Sequence, residues 1–342
     1  MARGQSGEQA PAAAAEAARG YRELFTPVPL RRGPAASESL TTVLVAFAAN
    51  VLIAVAKTVA AVVTGSAAML AETVHSWVSL GAEIFLVGAY LLARLAPDAL
   101  HPLGYGRESY VWSLFASIGI FVVGSGVAVW RGLHQLSVPD DGITDYRIGY
   151  LVLAGAFVFQ AWSFAQALRF VRARAGAREA SVFEHLFASS DSQLRAVVTG
   201  DFIALLGTAT AGVGMALHQW SGRVAFDALG SIVIGLLMAT AGLYLIDVNR
   251  RYLAGVPLSH ERSAHVVELM LQRPEIERVT FFFAEYVGPE RVLVVARVAL
   301  RGELDQPELA RTLRRLERRF TENPNVVAAI VTLSSPDEPD WT

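Results

Sequence analysis

The sequence predicts a mainly α membrane protein: a six-transmembrane-helix bundle followed by a small α+β domain. Three observations carry that reading. Of 342 residues, 53% are hydrophobic and only 18% charged, against about 25% charged in an ordinary soluble domain. Six stretches reach the roughly 20 apolar residues that a helix needs to cross a bilayer core. Beyond residue 256 the pattern changes to short β-rich runs and amphipathic helices.

The spans are expected near residues 40–63, 67–93, 110–130, 148–168, 196–217 and 228–247. The first two meet at Thr64-Gly65-Ser66, a very tight hairpin. Residues 1–38 are rich in Ala, Glu and Gly and hold no apolar segment of the secretory kind, so a mobile tail is expected there. Residues 39–250 then form the membrane domain and 256–336 a second domain. In the latter, Ser259–Gln272 reads as a helix with Ser259 as its cap and Pro274 as its stop. Val279–Tyr286 and Val292–Leu300 read as strands around a Gly288-Pro289 turn. Leu309, Leu313, Leu316 and Phe320 mark an amphipathic helix over Gln306–Phe320, and Val326–Leu333 is a last strand. The order α-β-β-α-β suggests a ferredoxin-like sandwich, with helices on one face of a sheet.

Arginine placement sets the expected orientation. Fourteen arginines fall in the N-terminal tail, in the loops after the second and fourth spans, and after the sixth. Arg131, Arg147 and Arg223 alone fall on the other side, beside the acidic Pro139-Asp140-Asp141-Gly142 loop. Both termini should therefore face the cytoplasm.

Composition also excludes functions. With no cysteine there are no disulfides, Fe–S clusters, thiolate metal sites or cysteine nucleophiles. A net charge of −2 gives nucleic acid no electrostatic footing. Residues 257–342 are themselves net acidic, with 11 Arg against 14 Asp and Glu. The run Arg311, Arg314, Arg315, Arg318, Arg319 reads as a solvated helix face partnered by Glu308 and Glu317. No His-Glu-x-x-His helix is present, which disfavours a membrane metalloenzyme.

Ionisable groups inside apolar spans are costly and mark functional candidates. In the second span Glu72, His75, Ser79 and Glu83 fall within a stripe roughly 60° wide. Lys57, the sole lysine, lies in the first span about as far from the hairpin as Glu72, so the two are expected to pair. Asn50 shares the Lys57 face and reads as a helix–helix hydrogen-bonding residue. Asp201 in the fifth span needs a partner on another helix, and lies near the level of His75, Ser79 and Glu83. A histidine nitrogen with carboxylates suits a borderline divalent cation such as zinc, and the same groups could relay protons. Asp227 and Asp247, at the two ends of the sixth span, read as interfacial.

Several blocks together resemble the cation diffusion facilitator family of divalent metal exporters. They are Asn50 with Lys57, the run from Gly65 through Leu70-Ala71-Glu72 to His75-Ser76, and Pro97-Asp98-Ala99-Leu100-His101-Pro102-Leu103-Gly104-Tyr105-Gly106-Arg107-Glu108. Asp201 with Gly207, Phe226-Asp227-Ala228 with Gly235, and Tyr286-Val287-Gly288-Pro289 complete the match, which spans about residues 38–336. The chain is most similar to the branch of mitochondrial and bacterial relatives without a His-rich loop. The resemblance implies a tetrahedral transport site, built from a His or Asp and an Asp one turn later on the second span and a similar pair on the fifth. His75 and Asp201 match it. Ser79 stands where an Asp is expected, Val197 where a His or Asp is often found, and Gly200 where an acidic residue often precedes the fifth-span Asp.

His75 and Asp201 alone supply one negative charge. Glu83 would restore a second by moving the ion about 6 Å inward, and Glu72 would do so on the outer side. The expectation is a displaced site of His75, Asp201 and Glu83, with Ser79 as a weak or water-mediated contact. His101, near Asp98 and Glu108, and His260 and His265 match places where some members bind further metal. The implied function is efflux of a divalent metal by alternating access and metal/proton antiport. Zinc comes first and Fe, Mn or Co remain open, since no thiolate is present; no organic cofactor is implied. The implied setting is the lipid bilayer of a bacterial inner or plasma membrane, with a homodimer and no nucleic acid. The alternative is a membrane metal sensor or scaffold that no longer transports.

Overall fold

The computed structural model describes residues 36–93, 95–137, 145–175, 190–302 and 304–341. The expected tail lies outside these residues apart from 36–38, which already belong to a helix. The acidic 139–142 loop and Arg178 lie outside them too. The chain forms two compact units. One comprises residues 36–92 and Glu108–Arg251; the other comprises Ala93–Arg107 and the chain from Tyr252 onward. Grouping of 93–107 with the C-terminal part was not expected.

Among the described residues the first unit holds six helices long and apolar enough to cross a membrane. They are α1 (Ala36–Thr64), α2 (Ala67–Leu92), a third span made of α3 (Glu108–Gly119) and α4 (Gly126–Ser137), α5 (Arg147–Ala175), α6 (Ser192–Ser221) and α7 (Ala225–Ala254). Each expected span is present, and most run several residues longer than apolar runs alone suggest. Polar residues extend them: Asp191 caps α6 by accepting from the Gln193 and Leu194 amides at 3.0 and 3.1 Å. Gly222 closes the same helix in the left-handed region, at φ 67°.

The third span changes pitch at a π segment, Ile120–Ser125, where α3 gives way to α4. Gly119, Gly124 and Gly126 cluster there, and glycine holds α geometry weakly. The third and sixth spans come close where side chains vanish. A Cβ added to Gly132 would stand 2.7 Å from the Ala228 carbonyl, so any larger residue would part the helices.

The main core cluster runs from the end that carries the Thr64–Ala67 and Ser221–Ala225 connections, here the hairpin end, to mid-span at Ile203, Met238 and Ala241, and Val171, Leu194 and Val198 form a second cluster toward the other end. Ala60, Ala61, Ala68, Met69, Ala71, Ala211 and Met215 pack at the hairpin end with Tyr146. Asp227 was expected at an interface, yet it is buried there. It accepts from the Ser66 hydroxyl and from the Ala67 and Ala68 amides, so it caps α2 from the start of α7. Asp247 accepts from Arg250 and Arg251, as an exposed residue would.

The second unit contains α8 (His260–Leu271), β1 (Ile276–Gly288), β2 (Arg291–Leu300), α9 (Gln306–Thr321) and β3 (Val326–Leu333). The sheet order is β1-β2-β3, antiparallel then parallel. Val292, Val294, Ala296 and Val298 alternate into the core beneath the helices, which bury Val266, Met270, Leu316 and Phe320. The other face of the sheet leaves Phe281 and Phe283 each 38% exposed. Ser259 occupies the cap position of α8 without a side-chain cap bond, contrary to expectation. Asp305 does cap α9, accepting from the Glu308 amide at 2.8 Å. Glu317 was expected to partner the arginine stripe; its Oε1 accepts instead from the Val331 amide at 3.1 Å.

Candidate functional site

The polar stripe of α2 faces the bundle interior, and both of its carboxylates are held by α1, Glu72 also by α6. Nearest the hairpin end, Lys57 Nζ of α1 donates to Glu72 Oε2 at 2.7 Å, with both side chains fully buried. Two buried charges are tolerated there because each neutralises the other; removing one partner of such a pair costs about 3–5 kcal/mol. The Thr208 hydroxyl of α6 donates to the same oxygen at 2.8 Å. Gln160 of α5, with its amide oxygen turned to Lys57, accepts from Nζ at 3.3 Å and donates to Thr208 Oγ1 at 2.8 Å and to the Ala204 carbonyl at 3.1 Å. Four spans thus meet in one polar knot.

One turn further, His75 Nδ1 lies 3.7 Å from Glu72 Oε1, an oxygen with no hydrogen bond among the described residues. Beyond it Ser79 and Glu83 are half-buried on the same face. Asn50 Nδ2 of α1 donates to Glu83 Oε1 at 2.6 Å, which is the helix–helix contact expected of Asn50. Asp201 of α6 accepts from the Ser163 hydroxyl of α5 at 2.9 Å. Its carboxylate lies within electrostatic reach of both Glu83 and His75. His75, Glu83 and Asp201 therefore share one seam between the second and fifth spans. They are not drawn into ligating contact: among the described residues no three His, Asp or Glu side chains gather closely enough to hold an ion.

The positions that depart from the family pattern are now placed. Val197 is 44% exposed. Gly200 has open space, since a Cβ there would meet nothing within 4 Å. Three residues of the knot and seam were not read from the sequence: Thr208 of α6, and Gln160 and Ser163 of α5. For the α5 pair the signal was available: Gln160 and Ser163 are polar, three apart on one face of an otherwise apolar span, and so able to meet one neighbour.

The remaining histidines stand apart. His101 belongs to a turn organised by Asp98, which accepts from the Leu100 and His101 amides and from the Tyr105 hydroxyl. The Tyr105 hydroxyl first, then the His101 amide, holds the Asp98 carboxyl below its ordinary value. Glu108 accepts from Trp112 Nε1 rather than joining His101. His260 stacks on Trp341 with ring centroids 5.3 Å apart, and His265 lies 3.5 Å from Glu268 on an exposed face.

Comparison with known proteins agrees with this architecture. A family model, the cation efflux transmembrane domain, matches residues 43–254. Metal tolerance protein C4 of Arabidopsis thaliana is 28% identical over 243 residues, covering 70% of this chain and 52% of that protein. The mitochondrial proton-coupled zinc antiporter SLC30A9 of Homo sapiens is 28% identical over 262 residues, covering 77% of this chain and 46% of that protein. The chain thus spans about half the length of the curated relatives it matches. With six membrane-spanning helices, a polar seam between the second and fifth, and a family match over more than half its length, this integral membrane protein belongs to the cation efflux, or cation diffusion facilitator, family.

Proposed function

We propose that this chain exports a divalent cation, zinc first, by alternating access coupled to counterflow of protons. One observation carries the reading. His75 and Glu83 of the second span and Asp201 of the fifth lie within electrostatic reach across one seam, each carboxylate oriented by a hydrogen bond from a further span. A nitrogen and two carboxylates match the charge and hardness of a borderline divalent ion. Ser79 lies between them and offers a hydroxyl or a water-mediated contact. The gap among these ligands fits a transporter, which must release its cargo and so binds it fully in only part of its cycle. The same groups must lose protons to bind metal, so binding and proton release are linked. The matched relative named a proton-coupled zinc antiporter supports zinc and protons as the coupled pair.

The expected setting follows. Arginine asymmetry supports cytoplasmic termini in a bacterial inner or plasma membrane. The exposed aromatic face of the sheet, Phe281 and Phe283 with Ile330, supports a homodimer. Metal at His101, His260 or His265 lacks a gathered ligand set among the described residues.

Zinc uptake into proteoliposomes under a pH gradient tests the reading. Wild type should load zinc and shift internal pH, and His75→Ala and Asp201→Ala should each lower flux at least tenfold. Wild-type flux equal to that of empty vesicles overturns it. That outcome would favour the sensor or scaffold reading, for which Ser79 in place of an expected carboxylate is the supporting feature. Glu83→Gln tests the displaced site alone; unchanged flux removes Glu83 from it.

A further inference from the structure

The polar knot at Lys57 has a position and a connectivity that the metal-binding seam does not require. It lies one turn from His75 toward the hairpin end, where the alanine- and methionine-rich core begins. It closes a ring across four spans: Lys57 to Glu72, Glu72 to Thr208, Thr208 to Gln160, and Gln160 back to Lys57. Lys57 and Glu72 are fully buried and Thr208 nearly so. Packing around the ring is tight: a Cβ added at Gly207 would collide with Glu72 Oε1. Toward the other end the seam is looser. Ser79, Glu83 and Asp201 are half-buried, and a Cβ at Gly81 or Gly200 would meet nothing within 4 Å. The ring thus stands between His75 and the hairpin end of the bundle.

We propose that Lys57, Glu72, Gln160 and Thr208 form a lock that shuts the hairpin face, and that Lys57 is a tethered counter-cation which the cargo displaces from Glu72. Opening the ring without a substitute charge strands a buried carboxylate, so the empty protein stays shut on this side. A divalent ion on His75 supplies that charge. Glu72 Oε1 already points at His75 Nδ1 from 3.7 Å and has no hydrogen bond among the described residues, so it can turn to the ion as Lys57 leaves. Lys57 remains tethered and re-forms the pair once the ion departs, which resets the closed state without a second ligand. The inference rests on the alternating-access reading and adds to it the residues that gate one face.

The test uses the absence of native cysteine. Ala204→Cys, one turn from Thr208 on the termini side, serves as a reporter in the full chain, oriented in proteoliposomes. A membrane-impermeant maleimide is applied to each face in turn. Without metal the reporter should label slowly from the hairpin face. The near-isosteric pair Lys57→Met with Glu72→Gln should raise that rate at least tenfold and leave labelling from the opposite face unchanged. Lys57→Arg, which keeps a cation, should restore the slow rate. Saturating zinc should raise the rate several-fold with Lys57 and Glu72 intact, and should do nothing further in the neutral pair. Equal rates with and without the ring, or a rise from both faces alike, overturn the lock. A rate insensitive to zinc while the ring is intact overturns the displacement step. Labelling reads accessibility rather than flux, so failure of the lock and failure of the transport reading are separate results.

Discussion

At Gly200 the missing side chain is informative. The residue stands beside Asp201, where the family resemblance implies an acidic side chain, and the space for one is empty. Gly200→Asp therefore adds a carboxylate near the seam without displacing neighbours. Zinc should bind about tenfold more tightly, equivalent to about 1.4 kcal/mol, read by calorimetry on the detergent-solubilised chain. An unchanged Kd would show that position 200 does not face the ion. Gly207→Ala has the opposite character, because its new methyl meets the Glu72 carboxylate, a buried group that Lys57 and Thr208 hold in place through Oε2. Forcing extra volume into a packed site costs about 1–3 kcal/mol, so Tm should fall, whereas the same change at the open Gly200 should leave it nearly constant. The pairing of Lys57 with Glu72 was legible in the sequence because both count back to the same tight hairpin, which fixes their relative height. Asp201 with Ser163 was not legible. Its partner depends on how α5 and α6 rotate against each other, and periodicity within one helix carries no information on that rotation.

Among the elements, the C-terminal segment after β3 departs furthest from what pattern reading could find. Residues 334–341 fold back on β1: Arg278 donates to the Pro336 and Glu338 carbonyls, and the Trp341 amide donates to the Val279 carbonyl. Glu338 is the fastener, accepting from Thr280 at 2.9 Å and from Arg297 at 2.7 Å. The Thr280 hydroxyl first, with Arg297 adding to it, holds the Glu338 carboxyl below its ordinary value. A carboxyl lowered on folding contributes stability above its unfolded value, about 4.3 for glutamate. That stability is lost as pH falls through the lower folded value. The segment should therefore stay docked down to about pH 4.3 and release below it, followed as the fluorescence difference between the chain and Trp341→Phe. Glu338→Gln should abolish the pH dependence. Strands and helices of this unit were readable because alternation and the 3.6-residue period are local; a tail docked through carbonyls and the carboxylates of Glu338 and Asp340 has no period. Caps divide in the same way. Asp305 had the right residue and the right geometry, and Asp305→Ala should cost about 1 kcal/mol, while Ser259 had the residue without the bond.

For the whole molecule, the consequential feature is which unit holds the connection between the second and third spans. Residues Ala93–Arg107 pack with the C-terminal unit rather than with the helices they join. Arg107 pairs with Glu285 of β1 at 2.6 Å. Gly106 and Gly288 touch backbone to backbone, so closely that a Cβ on Gly288 would stand 2.7 Å from Gly106 Cα. Glycine at both positions is the condition for this contact, since backbone atoms on either side cannot yield as a flexible side chain could. The second span, which carries Glu72, His75, Ser79 and Glu83, thus continues directly into a segment clamped on a sheet with its own core. A rearrangement of that sheet would pull, through the chain itself, on the end of the helix that bears most of the seam. Gly288→Val should release the clamp while leaving the strands paired, because the residue lies at the end of β1. Trypsin should then cut after Arg107 at least tenfold faster, with circular dichroism unchanged. Under the transport reading, flux should fall while zinc affinity stays constant, since no seam residue is altered. Loss of affinity and flux together would mean that the clamp shapes the seam itself; unchanged proteolysis would mean that the glycine contact does not hold the segment in place.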